Sequence, residues 1–198
     1  MAINHSMKKI LKALSFDGIE VEAARHLASL KAIDPMKIFH KTIDYKIYNG
    51  DYEVPVRIYL PREKVTEDLP VFLFFHGGGW VTDCIDNYER ICARLASATE
   101  HIVVSVEYRL APEHPFPTGF MDCYAVAKAI YTNRFILNVN PQRITLIGDS
   151  AGGNLAAAVS LKARDDGIFK PQRQILIYPA VNNDYSDTSR FQSVKDCG

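Results

Sequence analysis

The chain has 198 residues, with 23 basic and 23 acidic side chains, 47% hydrophobic residues and 10 prolines. That length suits one domain, or a small domain with an appendage, and the composition excludes a disordered, collagenous or coiled-coil chain. A formal net charge of zero removes the electrostatic case for nucleic acid or an anionic membrane surface as the main partner.

Purely apolar runs such as Val71 to Phe75 are far shorter than a membrane span, so no stable membrane anchoring is expected. At the N-terminus Lys8 and Lys9 precede Ile10 and Leu11, but Lys12 and Asp17 interrupt the apolar stretch and no small-residue cleavage site follows. The four cysteines (Cys84, Cys92, Cys123, Cys197) show neither CxxC spacing nor a disulfide framework. A reduced, cytoplasmic chain without a thiolate metal site is the expectation.

Residues 1–40 read as a helical segment. Met7, Ile10, Leu11 and Leu14 fall on one face. Asp17 and Glu20 form a capping-box pattern that opens a second helix, ended by Asp34-Pro35. Residues 41–198 then form a second unit. Ile43, Tyr45 and Ile47 alternate with polar neighbours, Asn49-Gly50 supplies a turn, and Val54 to Leu60 resumes the extended pattern, which is a hairpin signal. Strands are predicted over Val71 to Phe75, His101 to Glu107, Ile144 to Gly148 and Gln174 to Tyr178. Helices are predicted over Asp86 to Thr99, around Phe120 to Ala127, and over Ala151 to Ala163. Apolar strands alternating with amphipathic helices mean an α/β fold, its parallel sheet covered on both faces.

Two motifs carry chemistry. Gly148-Asp149-Ser150-Ala151-Gly152 is a G-x-S-x-G between a predicted strand and a predicted helix. Such a turn exposes the serine hydroxyl in strained backbone geometry, and the glycines allow close chain approach. The N–H groups and positive dipole end of the following helix face the same point. In this composition chance predicts about 0.03 such matches, so Ser150 is the candidate nucleophile. His76-Gly77-Gly78-Gly79-Trp80 directly follows the strand ending at Phe75. Consecutive glycines let backbone N–H groups converge on a developing oxyanion.

Together with Val106-Glu-Tyr-Arg-Leu-Ala-Pro-Glu-His-Pro-Phe-Pro117 and Gly148-Asp-Ser-Ala-Gly-Gly153, these residues resemble the hormone-sensitive-lipase, or HGGG, branch of the α/β-hydrolase superfamily. The resemblance runs from about residue 43 to about residue 185. It implies the α/β-hydrolase fold and Ser150 as nucleophile, with an oxyanion hole from the N–H groups of Gly77, Gly78 and Ala151. It also implies carboxylic-ester hydrolysis, mainly of short acyl chains, and makes the N-terminal helices part of a cap over the pocket. No cofactor is implied, because side chains, backbone donors and water suffice; a homo-oligomer is left open.

His76 precedes the glycine loop and is assigned to positioning that loop, together with Gly79. Asp149 adjoins the nucleophile and cannot reach around to orient a histidine. Trp80 lines the pocket or covers the strand end. Tyr108, Arg109 and Glu113 brace their loop, and His114 sits in a Pro-rich turn.

The pattern departs from the branch after the elbow. Serine hydrolases of this fold place an acid and then a histidine downstream of the serine, and no histidine follows Ser150. Asp165, Asp166, Asp184, Asp187 and Asp196 all precede the place where the branch carries its acid. The sequence therefore reads as the N-terminal portion of a longer enzyme, with closing strands, acid and base missing and little turnover by itself. Gln174 to Tyr178 would then be an apolar sheet edge. Two other readings stay open. One is a non-catalytic small-molecule binder, as in the gibberellin receptors that resemble the same branch; the other is an amide hydrolase of the arylformamidase type.

Overall fold

The computed structural model describes Val21, Arg25 and residues 42–61, 69–137 and 139–181. The predicted N-terminal helical pair lies outside these residues, except that Val21 and Arg25 are helical. Strands β1 (Thr42–Asn49) and β2 (Tyr52–Tyr59) form the expected hairpin, turning at Gly50 with φ 65°. Then follow β3 (Val71–Phe75), α1 (Ile85–Thr99), β4 (Ile102–Val106) and α2 (Thr118–Tyr131). A 3-10 turn at Pro141–Arg143 leads into β5 (Ile144–Asp149), α3 (Ala151–Asp166) and β6 (Arg173–Ile177).

The six strands make one sheet in the order β1-β2-β4-β3-β5-β6. β1, β2 and β4 pair antiparallel, while β4, β3, β5 and β6 run parallel. The central strands are apolar on both faces because both faces are covered. On one side Leu73, Phe75, Val104 and Leu146 pack with α2 and α3. On the other, Phe72, Phe74, Val103 and Ile147 pack with Cys92, Ala93 and Ala96 of α1. The predicted α/β fold and the order of its elements are what the structure shows.

Two features of this frame position the chemistry. β3 and β5 are parallel neighbours in register, Phe75 opposite Gly148, so the loops leaving their C-terminal ends emerge side by side. Those loops are the glycine loop and the serine turn. At the far side β6 is the outermost strand among the described residues, and four of its five residues are exposed.

Candidate active site

Ser150 is the hinge between β5 and α3, at φ 51° and ψ −116°. A non-glycine residue there costs roughly 1–3 kcal/mol, so the surroundings must impose it. They do so through the backbone. Ser150 N–H donates to the Ile177 carbonyl at 2.9 Å, and its own carbonyl accepts from Asn154 N–H at 3.1 Å and Ala180 N–H at 3.0 Å. The turn is so tight that a Cβ on Gly152 would run into the Phe75 carbonyl oxygen, and one on Gly148 into the Gly152 carbonyl. The spacing of the two glycines therefore records how closely α3 passes the end of β3. Ala151 is the first residue of α3, so its N–H has no acceptor within the helix and stands beside the serine.

The glycine loop is fixed peptide by peptide. His76 is fully buried and stacks on Tyr108, ring centroids 4.3 Å apart. Its Nδ1 lies 2.8 Å from the Gly77 carbonyl. Tyr108 Oη donates to the His76 carbonyl at 2.8 Å. The Gly78 carbonyl accepts from Val81 N–H at 3.1 Å, Thr82 N–H at 2.9 Å and Thr82 Oγ1 at 2.9 Å. Because a trans peptide points its C=O and N–H in opposite directions, these inward carbonyls turn the N–H groups of Gly78 and Gly79 the other way. Gly78 and Gly79 sit at φ 105° and 62°.

Gly77 differs from the expectation. Its N–H donates to Tyr88 Oη at 3.1 Å. An N–H already committed to a phenol is not a free donor, so the N–H groups here without an acceptor among the described residues are those of Gly78, Gly79 and Ala151. Tyr88 Oη in turn donates to Asp149 Oδ2 at 2.8 Å. Asp149 thus faces the glycine loop, and its carboxylate bonds no histidine among the described residues. Burial pushes its carboxyl pKa up, opposed by the Tyr88 bond and by backbone N–H groups.

His76 is ruled out as general base by the same geometry. Burial pushes its pKa down to about 4, against the raising effect of the Gly77 carbonyl. Its Nε2 meets no hydrogen-bond partner among the described residues, so no bond joins it to Ser150.

A cavity of about 410 Å³ opens next to the loop and the first turns of α3. Trp80, at φ 62° and partly exposed, lines it. Tyr108, Arg109 and His114 line it as well as bracing their loop. Arg109 holds the fully buried Asp122 through Nε and Nη2, both at 2.8 Å. Phe116, Asn154, Leu155 and Ala158 complete much of the wall. They were not legible as site residues: the α3 positions repeat at i, i+1 and i+4, which reads as a packing face. Nothing in the sequence singles out Tyr88 beyond its place in the helix predicted over Asp86 to Thr99.

The alpha/beta hydrolase fold family matches residues 72–197. The carboxylesterase NlhH of Mycobacterium tuberculosis is 40% identical over 174 residues, covering 86% of this chain and 53% of that protein. An arylesterase of Saccharolobus solfataricus is 37% identical over 174 residues, covering 88% of this chain and 55% of its own. This chain therefore spans about half the length of these curated relatives. Among solved structures, the hyperthermophilic esterase of the archaeon Pyrobaculum calidifontis superimposes with a TM-score of 0.77 at 36% identity, covering 97% of this chain and 63% of that one. With the strained serine turn, the glycine loop beside it and these matches together, the chain belongs to the alpha/beta hydrolase fold family.

Proposed function

We propose that this chain carries the nucleophile, the oxyanion donors and part of the substrate pocket of a serine esterase. Its substrates are carboxylic esters, short acyl chains foremost. The observation that carries this reading is Ser150 at φ 51°, held at the N-terminus of α3 beside the glycine loop. The carboxylesterase and arylesterase names of the relatives support it.

In the proposed reaction Ser150 Oγ attacks the ester carbonyl carbon as a base removes its proton. The carbonyl oxygen becomes an oxyanion, stabilised by the N–H groups of Gly78, Gly79 and Ala151 and by the α3 dipole. Collapse breaks the bond to the alcohol oxygen, which leaves with a proton and gives an acyl-serine. Water then attacks the acyl-serine, releasing the acid and restoring Ser150. Among the residues described, His76 cannot serve as that base, and no histidine follows Ser150 in the sequence.

The N-terminal segment is proposed as a cap over the cavity. The helical Arg25 supports this. Its guanidinium bonds the Val81 carbonyl at 3.0 Å, the Ala111 carbonyl at 3.2 Å and both Glu113 oxygens at 2.9 Å, and Val81 and Ala111 line the cavity.

The test does not depend on turnover. The chain is incubated with a fluorophosphonate in imidazole buffer, which supplies a mobile base, and the Ser150 peptide is weighed. Phosphonylation of Ser150 that vanishes in Ser150→Ala is expected. Modification elsewhere, or none, overturns the esterase reading and leaves the small-molecule binder.

A further inference from the structure

Tyr88 belongs to none of the motifs, yet its side chain touches both of them. It sits in the first turn of α1, a helix whose N-terminus is held by Glu107: Glu107 Oε2 accepts from Ile85 N–H at 2.6 Å. Its ring is wedged between Phe74 and His76, with centroids 5.5 and 5.7 Å away. The phenol has one proton, and it goes to Asp149 Oδ2 at 2.8 Å. That leaves an oxygen lone pair, which accepts the Gly77 N–H at 3.1 Å. Asp149 is joined covalently to Ser150. A bridge of two hydrogen bonds therefore runs from the nucleophile's neighbour, through Tyr88, to the first peptide of the glycine loop.

We infer that the Asp149–Tyr88–Gly77 bridge is a positioning device that sets the oxyanion donors relative to Ser150. The chemistry of the bridge has a direction. A carboxylate accepting the phenol proton makes the phenol oxygen a better acceptor, so the two bonds strengthen each other. With its N–H bound by Tyr88 and its carbonyl facing His76 Nδ1 at 2.8 Å, Gly77 has both peptides that flank it fixed. The following N–H, that of Gly78, is thereby aimed away from the core. Space allows nothing else: a Cβ on Gly77 would stand 2.6 Å from Asp149 Oδ2 and 2.9 Å from Tyr88 Oη. Apart from the bridge, the serine turn meets the loop through the β3–β5 ladder and the close pass of Gly152 by the Phe75 and His76 carbonyls, contacts that fix where the loop starts.

This inference rests on the reading of Ser150 as nucleophile and of Gly78 and Gly79 as donors. Tyr88→Phe removes one oxygen atom and keeps the ring wedge. Two measurements separate its failure from failure of the esterase reading. The first follows fluorophosphonate labelling of Ser150 as a function of reagent concentration. In Tyr88→Phe the limiting rate should fall on the order of 10- to 100-fold while the half-saturating concentration stays unchanged. A residue that only stabilised the fold would not produce that split. The second is amide hydrogen exchange at Gly77, whose N–H is the one bonded to Tyr88, and it needs no reactivity. Exchange there should quicken in Tyr88→Phe, while amides in β4 keep wild-type protection.

Asp149→Asn, which keeps the shape but weakens the acceptor, should act in the same direction with a smaller effect. It takes over both measurements if Tyr88→Phe does not fold. An unchanged limiting rate, or unchanged exchange at Gly77 in a folded variant, overturns the inference. Wild-type chain that is not labelled at Ser150 overturns the esterase reading instead, and amide exchange alone then decides whether the bridge holds the loop.

Discussion

At the scale of single residues, His76 shows how a histidine inside a catalytic motif is kept out of acid–base chemistry. An imidazole with its ordinary pKa near 6.5 would carry partial charge at neutral pH. Here burial favours the neutral ring and pushes the value down to about 4. The neutral ring donates from Nδ1 to the Gly77 carbonyl, a fixed structural bond. The consequence is linkage. Between about pH 6.5 and 4 the unfolded chain binds a proton that the folded chain refuses, so stability is full above pH 6.5 and lost as the pH falls. The slope from this group reaches about 1.4 kcal/mol per pH unit. Urea unfolding at pH 7 and pH 5 should show a lower midpoint at pH 5, and His76→Asn should flatten the difference. Equal pH dependence in the two proteins would mean that His76 titrates normally in the fold.

At the scale of elements, the boundary between α1 and the strand beside it is a point where local rules yield to tertiary structure. Cys84 precedes α1 with extended backbone and gives no side-chain cap. The missing cap comes instead from Glu107, just past the end of β4, whose carboxylate accepts the Ile85 N–H; burial pushes its pKa up, against the lowering effect of that bond. Glu107→Ala should destabilise the chain by about 1–3 kcal/mol, since it leaves a helix N–H without its partner. Glu107→Gln, which keeps an acceptor, should recover much of the loss. Equal unfolding midpoints for wild type and Glu107→Ala would show that the cap carries no weight.

The same contrast explains what could be read beforehand. Buried strands such as Val71–Phe75 and Ile144–Asp149 declare themselves as apolar runs bounded by turns, and their ends fall within one or two residues of the sequence expectation. Gly148-Asp-Ser-Ala-Gly152 is legible because its chemistry is contiguous. The contacts of Tyr88, with Gly77 eleven residues before it and Asp149 sixty-one after it, leave no periodic trace. A tyrosine on an apolar helix face looks like any other core residue until its hydroxyl is placed. The Gly77–Tyr88 bond is hidden for the same reason: a glycine loop announces N–H groups but not which of them another side chain has already taken.

At the scale of the whole molecule, the sheet is tied down on one side, while on the other its edge strand is unpaired among the described residues. The hairpin side is tied down by Asp122, fully buried on α2, which accepts from Arg109 and from Asn49 Nδ2 at 2.7 Å, while the Arg109 guanidinium lies 4.1 Å over the Tyr52 ring. That network joins the β1–β2 turn to the loop lining the cavity. On the opposite side no strand among the described residues pairs with the outer edge of β6. Ile175 and Ile177 are 42% and 37% exposed, and Tyr178 and Val181 continue the apolar surface at 73% and 70%. An apolar edge with unpaired N–H and C=O groups is a template for another strand, and natural edges carry lysine or proline against that outcome. Produced as these 198 residues, the chain should associate with itself as its concentration rises. Sedimentation velocity across a hundredfold concentration range should show the weight-average mass climbing above 22.3 kDa. The variant Ile175→Lys places charge on that edge away from the Ile177 carbonyl that binds Ser150 N–H, and should hold the mass at the monomer value over the same range. Identical behaviour of the two proteins would locate the association elsewhere, and a strictly monomeric wild type would show that the β6 edge is covered in solution.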